Sequence, residues 1–137
     1  MTDCVFCRIV AGRIPSTRVY EDEQVVAFMD IGQVNPGHVL VAVRSHVENL
    51  FSLEDAQAEA VARATARIAR AIRNAFSPGG LSVYQANGAV AGQTVFHYHV
   101  HLVPRLEGDG MAFTWPVRNP PREELESHAA RIRAALS

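Results

Sequence analysis

Three of the six histidines in the chain lie at spacing two, alternating with apolar residues, in the segment from Phe96 to Val103. On a β-strand, residues at that spacing point to the same side, so His97, His99 and His101 share one face and the apolar side chains share the other. A buried imidazole needs a polar partner, and a strand with only a structural role gains little from three of them. The pattern therefore indicates a site that handles a proton, a metal ion or a phosphate group.

One metal ion does not fit all three imidazoles. On a regular strand the Cα atoms of His97 and His101 lie about 13 Å apart, whereas zinc–nitrogen bonds are only about 2 Å long. Two neighbours in the row, with Cα atoms about 6.6 Å apart, could share an ion. Elsewhere, Cys4 and Cys7 form a lone C-x-x-C. In a cytoplasmic chain this pair indicates half of a metal site or a redox pair rather than a structural disulfide.

A phosphoryl group over the middle imidazole fits the row better. His99 could attack phosphorus while a neighbouring ring donates a hydrogen bond to a phosphate oxygen. Nearby cationic rings repel one another, which lowers the pKa values of the imidazoles as a coupled set and keeps His99 in its nucleophilic neutral form. The preceding residues suit the same chemistry, because Gly92 lets the backbone approach an anion while Gln93 and Thr94 offer amide and hydroxyl donors.

The periodicity of the rest of the chain predicts the elements that position this row. Strands are predicted at Val19–Tyr20, Val25–Met29, His38–Val43, Leu81–Ala86 and Thr94–Val103, the last one stopped by Pro104. Helices are predicted at Cys4–Val10, from Ser52 to the Pro78–Gly80 turn, and at Pro121–Leu136. Ser52 would open the long helix, because Ser52–Asp55 has the shape of a capping box.

Length and composition predict one domain spanning residues 1–137 with a hydrophobic core. The formal net charge of −1 does not favour nucleic-acid binding, and no apolar run is long enough to cross a membrane. The first residues lack the basic and apolar regions of a signal peptide, so we expect a cytoplasmic protein. All 13 basic side chains are arginine, which excludes a lysine nucleophile, a lysine Schiff base and a P-loop.

The segment His97–Val103 reads His-Tyr-His-Val-His-Leu-Val and resembles the His-φ-His-φ-His-φ-φ signature of the histidine triad (HIT) family, in which φ is hydrophobic. Further similar segments are Cys4–Cys7, Phe28–Ile31, Pro36–His38 and Pro104–Arg105. The resemblance covers residues 1–115 and leaves residues 116–137 as a C-terminal extension. The chain is most similar to the Hint-type group of nucleoside phosphoramidases and their bacterial relatives. The uridylyltransferase branch instead carries proline where Tyr98 stands.

The resemblance implies an α+β fold with a five-stranded antiparallel sheet, one long and one or two short helices, and a two-fold homodimer. It also implies hydrolysis of a nucleoside monophosphate from an amine or another leaving group at the α-phosphorus. In that reaction His99 would be the nucleophile that forms a nucleotidyl-histidine intermediate. His101 would bind the α-phosphate and help with proton transfer, and His38 would join the relay that orients the nucleophile. Alternatively, His38 is an ordinary residue at the start of a strand.

The family also implies a binding site for purine nucleoside monophosphates, such as AMP, GMP and their conjugates. Its residues would be Phe28, Asp30, Ile31, Asn87, Gly92, Gln93, Thr94, His99 and His101. Phe28 and Ile31 would line the base and ribose pocket, and Asp30 would accept a hydrogen bond from a ribose hydroxyl. Alternatively, Phe28 and Ile31 are core residues, Asp30 caps the following loop, and Asn87 begins an ordinary turn.

Bacterial relatives in the family often hold a structural zinc ion, and the matching residues here are Cys4, Cys7, His46 and His97. The alternative is that the two thiols are reduced and only pack. No organic cofactor and no catalytic metal are expected. If His97 binds zinc, the row divides into a structural, a chemical and a phosphate-binding imidazole.

Two other functions stay open at this point. The chain could be a diadenosine polyphosphate hydrolase, with the same chemistry and a different leaving group, or a nucleotide-binding or scaffold module with incidental catalysis. Trp115 could reach toward the pocket of a second subunit, as an aromatic C-terminal segment does in the Hint-type group, or it could pack on the surface of its own. His128 is assigned no function.

Overall fold

The computed structural model describes residues 3–136. Its strands are β1 (Arg18–Glu21), β2 (Val25–Met29), β3 (Val39–Val43), β4 (Gly80–Tyr84) and β5 (His99–Arg105). Its helices are α1 (Val5–Val10), α2 (Asp55–Phe76) and α3 (Arg122–Ala135), with 3₁₀ turns at Leu50–Ser52 and Ala89–Ala91. The strands form one antiparallel sheet in the order β1-β2-β3-β5-β4. The prediction of an α+β fold with a five-stranded antiparallel sheet is confirmed.

The sheet has a different layer on each face, because successive side chains of a strand point to opposite sides. In β3, three valines belong to the apolar cluster that includes α2, whereas Leu40 and Ala42 belong to the cluster that includes α1. The α2 side of this core consists of Ala60, Val61, Ala64, Ile68 and Ile72. Burying one valine or leucine side chain stabilises a fold by about 1.5–3 kcal/mol. These layers therefore fix the sheet that carries the histidines.

The long helix begins three residues after the predicted Ser52. Ser52 lies in a 3₁₀ turn, and Leu53 after it is extended. Helix α2 starts at Asp55 with Glu54 as its N-cap, where the Glu54 N–H donates to Oε1 of Gln57 at 3.0 Å. The prediction of a cap at Ser52 is wrong because the Glu54–Gln57 pair satisfies the helix terminus instead.

Strand β5 also differs from its predicted bounds. It begins at His99 rather than Thr94, since the Tyr98 N–H donates to the Val47 carbonyl, beyond the end of β3, at 2.6 Å. It runs through Pro104 to Arg105 instead of stopping at the proline. A proline has no N–H to donate, and it is tolerated here because β3 pairs with β5 only as far as Leu102.

Strand β2 has its predicted bounds, and the remaining boundaries match the predictions to within one or two residues. β1 is longer than Val19–Tyr20, β3 begins after His38, and β4 ends before Ala86. The predicted C-terminal helix is present as α3, and none of its described residues is buried. No helix within residues 3–136 is both long and apolar enough to span a bilayer.

Candidate functional site

Strand β5 presents its two histidines on the side of the sheet that faces α1. Val100 and Leu102 point into the α2 core, while His99 pairs with Ala42 of β3 and His101 pairs with Leu40. The expectation that these two imidazoles share a face is confirmed. His97 precedes the strand and is fully buried, and its ring lies on the same side, edge-on to Phe6 of α1, so the expectation that all three imidazoles share a face is confirmed.

His97 lies against the two cysteines of α1. Its Nε2–H donates to the Val43 carbonyl at 2.7 Å, so Nδ1 keeps its lone pair. That Nδ1 lies 3.4 Å from Sγ of Cys4 and 3.5 Å from Sγ of Cys7. Nδ1 of His46 lies 3.3 Å from Sγ of Cys7. The structure therefore brings together all four residues that the sequence suggested as metal ligands, with their donor atoms within 4.8 Å of one another.

These four donors fit a tetrahedral zinc ion. Zinc bonds of about 2.3 Å to sulfur and about 2.0–2.1 Å to nitrogen place neighbouring sulfur and nitrogen ligands about 3.6 Å apart, close to the observed distances. Two thiolates and two imidazoles are a common ligand set of closed structural sites. Burial lowers the pKa of His97, so its ring is neutral, as a metal ligand must be.

The backbone of residues 3–136 holds His99 through Nδ1 and makes no hydrogen bond to its reactive nitrogen, Nε2. Its Nδ1–H donates to the His97 carbonyl at 2.7 Å, which leaves the lone pair on Nε2. Burial lowers the pKa of His99, although the hydrogen bond to His97 and the carboxylate of Asp30 act in the opposite direction. The ring packs edge-on against Phe6, with centroids 4.8 Å apart. A neutral imidazole with an oriented Nε2 lone pair is a potential nucleophile.

His38 and His101 form a hydrogen-bonded pair in which each ring carries its proton on Nε2, whereas His99 carries its proton on Nδ1. The Val34 N–H donates to Nδ1 of His38 at 3.2 Å, so the proton of neutral His38 lies on Nε2. That Nε2 is 3.0 Å from Nδ1 of His101 and 3.3 Å from Oδ2 of Asp30. His101 therefore accepts at Nδ1 and carries its own proton on Nε2. Burial, followed by the charges of His99 and His38, lowers the pKa of His101 to about 4.

The Asp30, His38 and His101 donor atoms also lie close enough together to surround a metal ion. The proton on Nε2 of His38 would have to leave first, because the Val34 N–H already occupies Nδ1. The observed hydrogen bonds therefore favour a proton relay at this cluster.

A cavity of about 390 Å³ lies between α1 and the sheet and ends at His99 and His101. Phe28, Asp30, Ile31 and Thr94, all predicted nucleotide contacts, line it. Phe28 is buried, with its ring edge-on to Phe6, whereas Ile31 is fully exposed at the cavity. Sequence reasoning missed the opposite wall, formed by Val5, Phe6, Ile9, Ile14, Pro15, Ser16 and Val95. An apolar slot that ends in imidazoles suits a flat ring joined to an anionic group.

Three other predicted contacts lie in the loop before β5 and do not line this cavity. The Gln93 carboxamide is buried, accepting from the Gly88 N–H at 2.7 Å and donating to the Glu48 carbonyl at 2.7 Å. Oδ1 of Asn87 accepts from the Leu50 N–H at 2.7 Å. Gly92 has a φ of +100°, and a Cβ there would lie 2.9 Å from Oη of Tyr84. Their visible role is to hold the loop, so contact with phosphate stays a prediction.

The two C-terminal residues considered in the sequence lie apart from this cavity. Trp115 is 76% exposed between β5 and α3. Nε2 of His128 lies 3.9 Å from Oε1 of Glu124, one turn earlier on α3. The nearer part of the C-terminal segment is fixed by Asp109, whose carboxylate receives two hydrogen bonds from Arg105.

Comparison with known proteins shows which family the chain resembles. The family model described as HIT domain matches residues 11–108. Protein hit of Bacillus subtilis is 51% identical over 138 residues, covering 98% of this chain and 95% of that protein. The crystal structure of a member of the HIT family of proteins from Bacillus subtilis has a TM-score of 0.94 and 45% identity, with 98% of each chain covered.

Two further similarities bear on chemistry and metal content. The adenosine 5'-monophosphoramidase hnt1 of Schizosaccharomyces pombe is 30% identical over 134 residues, covering 97% of this chain and 98% of that protein. The crystal structure of a zinc-bound histidine triad family protein from Mycobacterium smegmatis is 37% identical with a TM-score of 0.76. That match covers 98% of this chain and 99% of the other.

Proposed function

Because the chain belongs to the HIT domain family, we propose that it is a nucleotide-binding hydrolase that cleaves nucleoside monophosphates from amine or other leaving groups at the α-phosphorus. One observation carries the proposal. The two neighbouring imidazoles at the end of the cavity differ at Nε2, where His99 has a lone pair and His101 has a proton. A nucleophile and a hydrogen-bond donor side by side are what substitution at a phosphate requires.

The reaction proceeds in two displacements. The Nε2 lone pair of His99 forms a bond to the α-phosphorus while the bond to the leaving nitrogen breaks, and that nitrogen keeps the electron pair and takes a proton. Water then attacks phosphorus, the phosphorus–nitrogen bond to His99 breaks, and the nucleoside monophosphate leaves. The His97 carbonyl stabilises the positive charge that grows on the Nδ1–H of His99. His101 binds a phosphate oxygen and moves protons, with His38 behind it as the relay.

The lining of the cavity supports the proposed substrate class. A purine base occupies the apolar slot beside Phe28 and Ile31, and its phosphate lies over His99 and His101. Oδ1 of Asp30 accepts from the Gly32 N–H at 2.8 Å, and the carboxylate has further lone pairs for a ribose hydroxyl. The apolar walls and the imidazoles at the end of the cavity therefore support AMP, GMP and their conjugates as the proposed substrates. No organic cofactor and no catalytic metal enter these steps.

A structural zinc ion is part of the proposal. Cys4, Cys7, His46 and His97 would hold it, and it would tie the N-terminus of α1 to the loop before β5. The contacts that support this are the sulfur–nitrogen distances of 3.3–3.5 Å. Through His97 the same site supports the carbonyl that orients His99.

Hydrolysis of an adenosine phosphoramidate by the wild-type protein and by His99→Ala tests the catalytic role. Loss of the nucleophile should lower kcat by at least about a thousandfold. His128→Ala, which changes the exposed histidine on α3 in the same way, is the control and should leave kcat unchanged. Equal rates for His99→Ala and the wild-type protein would refute the mechanism.

The alternative functions predict different results in the same assay. Faster hydrolysis of a dinucleoside polyphosphate than of the phosphoramidate would identify a diadenosine polyphosphate hydrolase. Tight AMP binding with no turnover of either substrate would identify a binding or scaffold module. A mass spectrum of the quenched enzyme should show the nucleotidyl group on His99 and on no other side chain.

We expect this activity in a homodimer of a single-domain, cytoplasmic protein. Exposed apolar side chains on the C-terminal segment, among them Trp115, Leu125 and Ile132, support a surface that a second copy covers. Light scattering at assay concentrations should give the mass of two chains. A monomeric mass together with full activity would remove the dimer from the proposal.

A further inference from the structure

We propose that Gln33, a residue of the loop between β2 and β3, is a positioning residue that fixes the tautomer of His38 and, through it, that of His101. The catalytic consequence rests on the proposed function, whereas the tautomer itself is a property of the folded protein. Gln33 does not line the cavity that ends at His99. Its effect on the site is therefore indirect.

The carboxamide of Gln33 closes this loop with four hydrogen bonds. Oε1 accepts from the N–H groups of Gly37 and His38, each at 3.1 Å. Nε2 donates to the carbonyl of Asp30 at 2.5 Å and to that of His38 at 2.7 Å. A carboxamide has two donor hydrogens and two acceptor lone pairs, so every one of them is used. No other common side chain of this length offers two donors and two acceptors.

These bonds hold both neighbours that select the tautomer of His38. The Val34 N–H reaches Nδ1 of His38 at 3.2 Å, and Oδ2 of Asp30 lies 3.3 Å from Nε2. A donor at Nδ1 and a carboxylate at Nε2 both favour the form that carries its proton on Nε2. Gln33 joins the backbones of Asp30 and His38 and immediately precedes Val34, so it fixes all three positions relative to one another.

The opposite tautomer would reverse the relay. With the proton on Nδ1, His38 would present a lone pair at Nε2 to His101, and His101 would then donate from Nδ1. Nε2 of His101 would lose its proton and could no longer donate to a phosphate oxygen. The four bonds of Gln33 therefore decide whether the nitrogen beside His99 is a donor or an acceptor.

The tautomers can be read directly from the imidazole nitrogen signals in NMR spectra of ¹⁵N-labelled, zinc-loaded protein. In the wild-type protein Nε2 should be protonated in both His38 and His101. Gln33→Glu keeps the length and both acceptor bonds but places an oxygen against the carbonyls of Asp30 and His38. We expect the His38 nitrogen signals to move toward the Nδ1-protonated form in this variant and in Gln33→Ala. Gln24→Glu, the same change in the exposed β1–β2 turn, should leave them in place.

Phosphoramidate turnover supplies the functional readout. Both Gln33 variants should lower kcat by about tenfold or more, the scale of one lost hydrogen bond, with a smaller change in KM. A role only in shaping the cavity would instead raise KM and leave the nitrogen signals unchanged, which would overturn the proposal. Wild-type imidazole nitrogen signals in Gln33→Glu would also overturn it. The failure of both Gln33→Glu and Gln33→Ala to fold would do the same. If the wild-type protein hydrolyses no nucleotide, the proposed function fails while the nitrogen signals still decide the tautomer.

Discussion

Replacing His101 by glutamine should make the fold less sensitive to acid. His101 lies between His99 on its own strand and His38 just before β3, with the ring of Tyr84 on β4 beside it. Oδ2 of Asp30 is 3.7 Å from its Nδ1. Burial, followed by the charges of His99 and His38, lowers the pKa of His101 from 6.5 to about 4. Its side chain is only 26% exposed, so water screens little of this effect.

The lowered pKa gives the sign and the size of the effect. Well above pH 6.5 the imidazole is neutral in both the folded and the unfolded chain, and its contribution to stability is fully present. Between pH 6.5 and pH 4 the unfolded chain binds a proton that the folded protein excludes, so the free energy of unfolding decreases as the pH falls. The whole change is about 3 kcal/mol, and about 2 kcal/mol of it is lost between pH 7.5 and pH 5.

Urea unfolding of the wild-type protein and His101→Gln at pH 7.5 and pH 5 measures this contribution. Protein and zinc concentrations are kept equal, since binding partners change apparent stability. The other histidines titrate in both proteins, so the difference between the two pH-dependent losses measures His101 together with its coupling to His38 and His99. The wild-type protein should lose about 2 kcal/mol more than the variant. Equal losses, or a larger loss in the variant, would refute this account of the buried relay.

The metal centre, the cavity wall and the C-terminal segment give three further predictions. Cys7→Ser should reduce zinc in dialysed protein, measured by atomic emission, from about one ion per chain to almost none and lower the melting temperature; full retention of zinc would contradict the four-ligand centre. Phe28→Ala should destabilise the protein by about 3–5 kcal/mol in chemical unfolding, because it truncates a buried ring of the cavity wall. Ile31→Ala at the exposed rim should change the free energy of unfolding by less than about 0.5 kcal/mol and raise KM. Equal destabilisation by the two changes would place both residues in the core. Asp109→Asn should lower the melting temperature, because it weakens the pair of hydrogen bonds from Arg105, and an unchanged melting temperature would show that this contact does not hold the segment.

The spacing of the histidine row was sufficient to predict which imidazoles share a face. His99 and His101 lie on one side of β5 because the period of a strand is two. The rule also holds for His97, because its Nδ1 lies beside the Sγ atoms of Cys4 and Cys7 at α1, on the same side of the sheet. Periodicity did not predict the start of β5, since the Tyr98 N–H bonds to the Val47 carbonyl in place of a regular ladder partner.

The missing wall of the cavity shows a second limit of local patterns. Phe6 and Ile9 of α1 face His99 across a separation of about ninety residues in the chain, and only the folded sheet brings them together. Gln33 gave no signal either, since a polar residue between Gly32 and a Pro-Gly turn is typical of an ordinary loop. Its significance lies in four bond partners that no spacing rule specifies.

The three imidazoles of the row differ because each one has a different partner at one nitrogen. A neutral imidazole carries a single ring proton, so a bond at one nitrogen decides what the other can do. His97 donates from Nε2 and keeps a lone pair toward the thiols, His99 donates from Nδ1 and keeps a lone pair at Nε2, and His101 accepts at Nδ1 and keeps a proton at Nε2. The first two are also coupled, since the carbonyl that orients His99 belongs to His97. His97 lies beside the two cysteines and is only two residues from His99 in the chain. A change at the cysteine cluster that moves His97 therefore also moves the carbonyl that orients the candidate nucleophile.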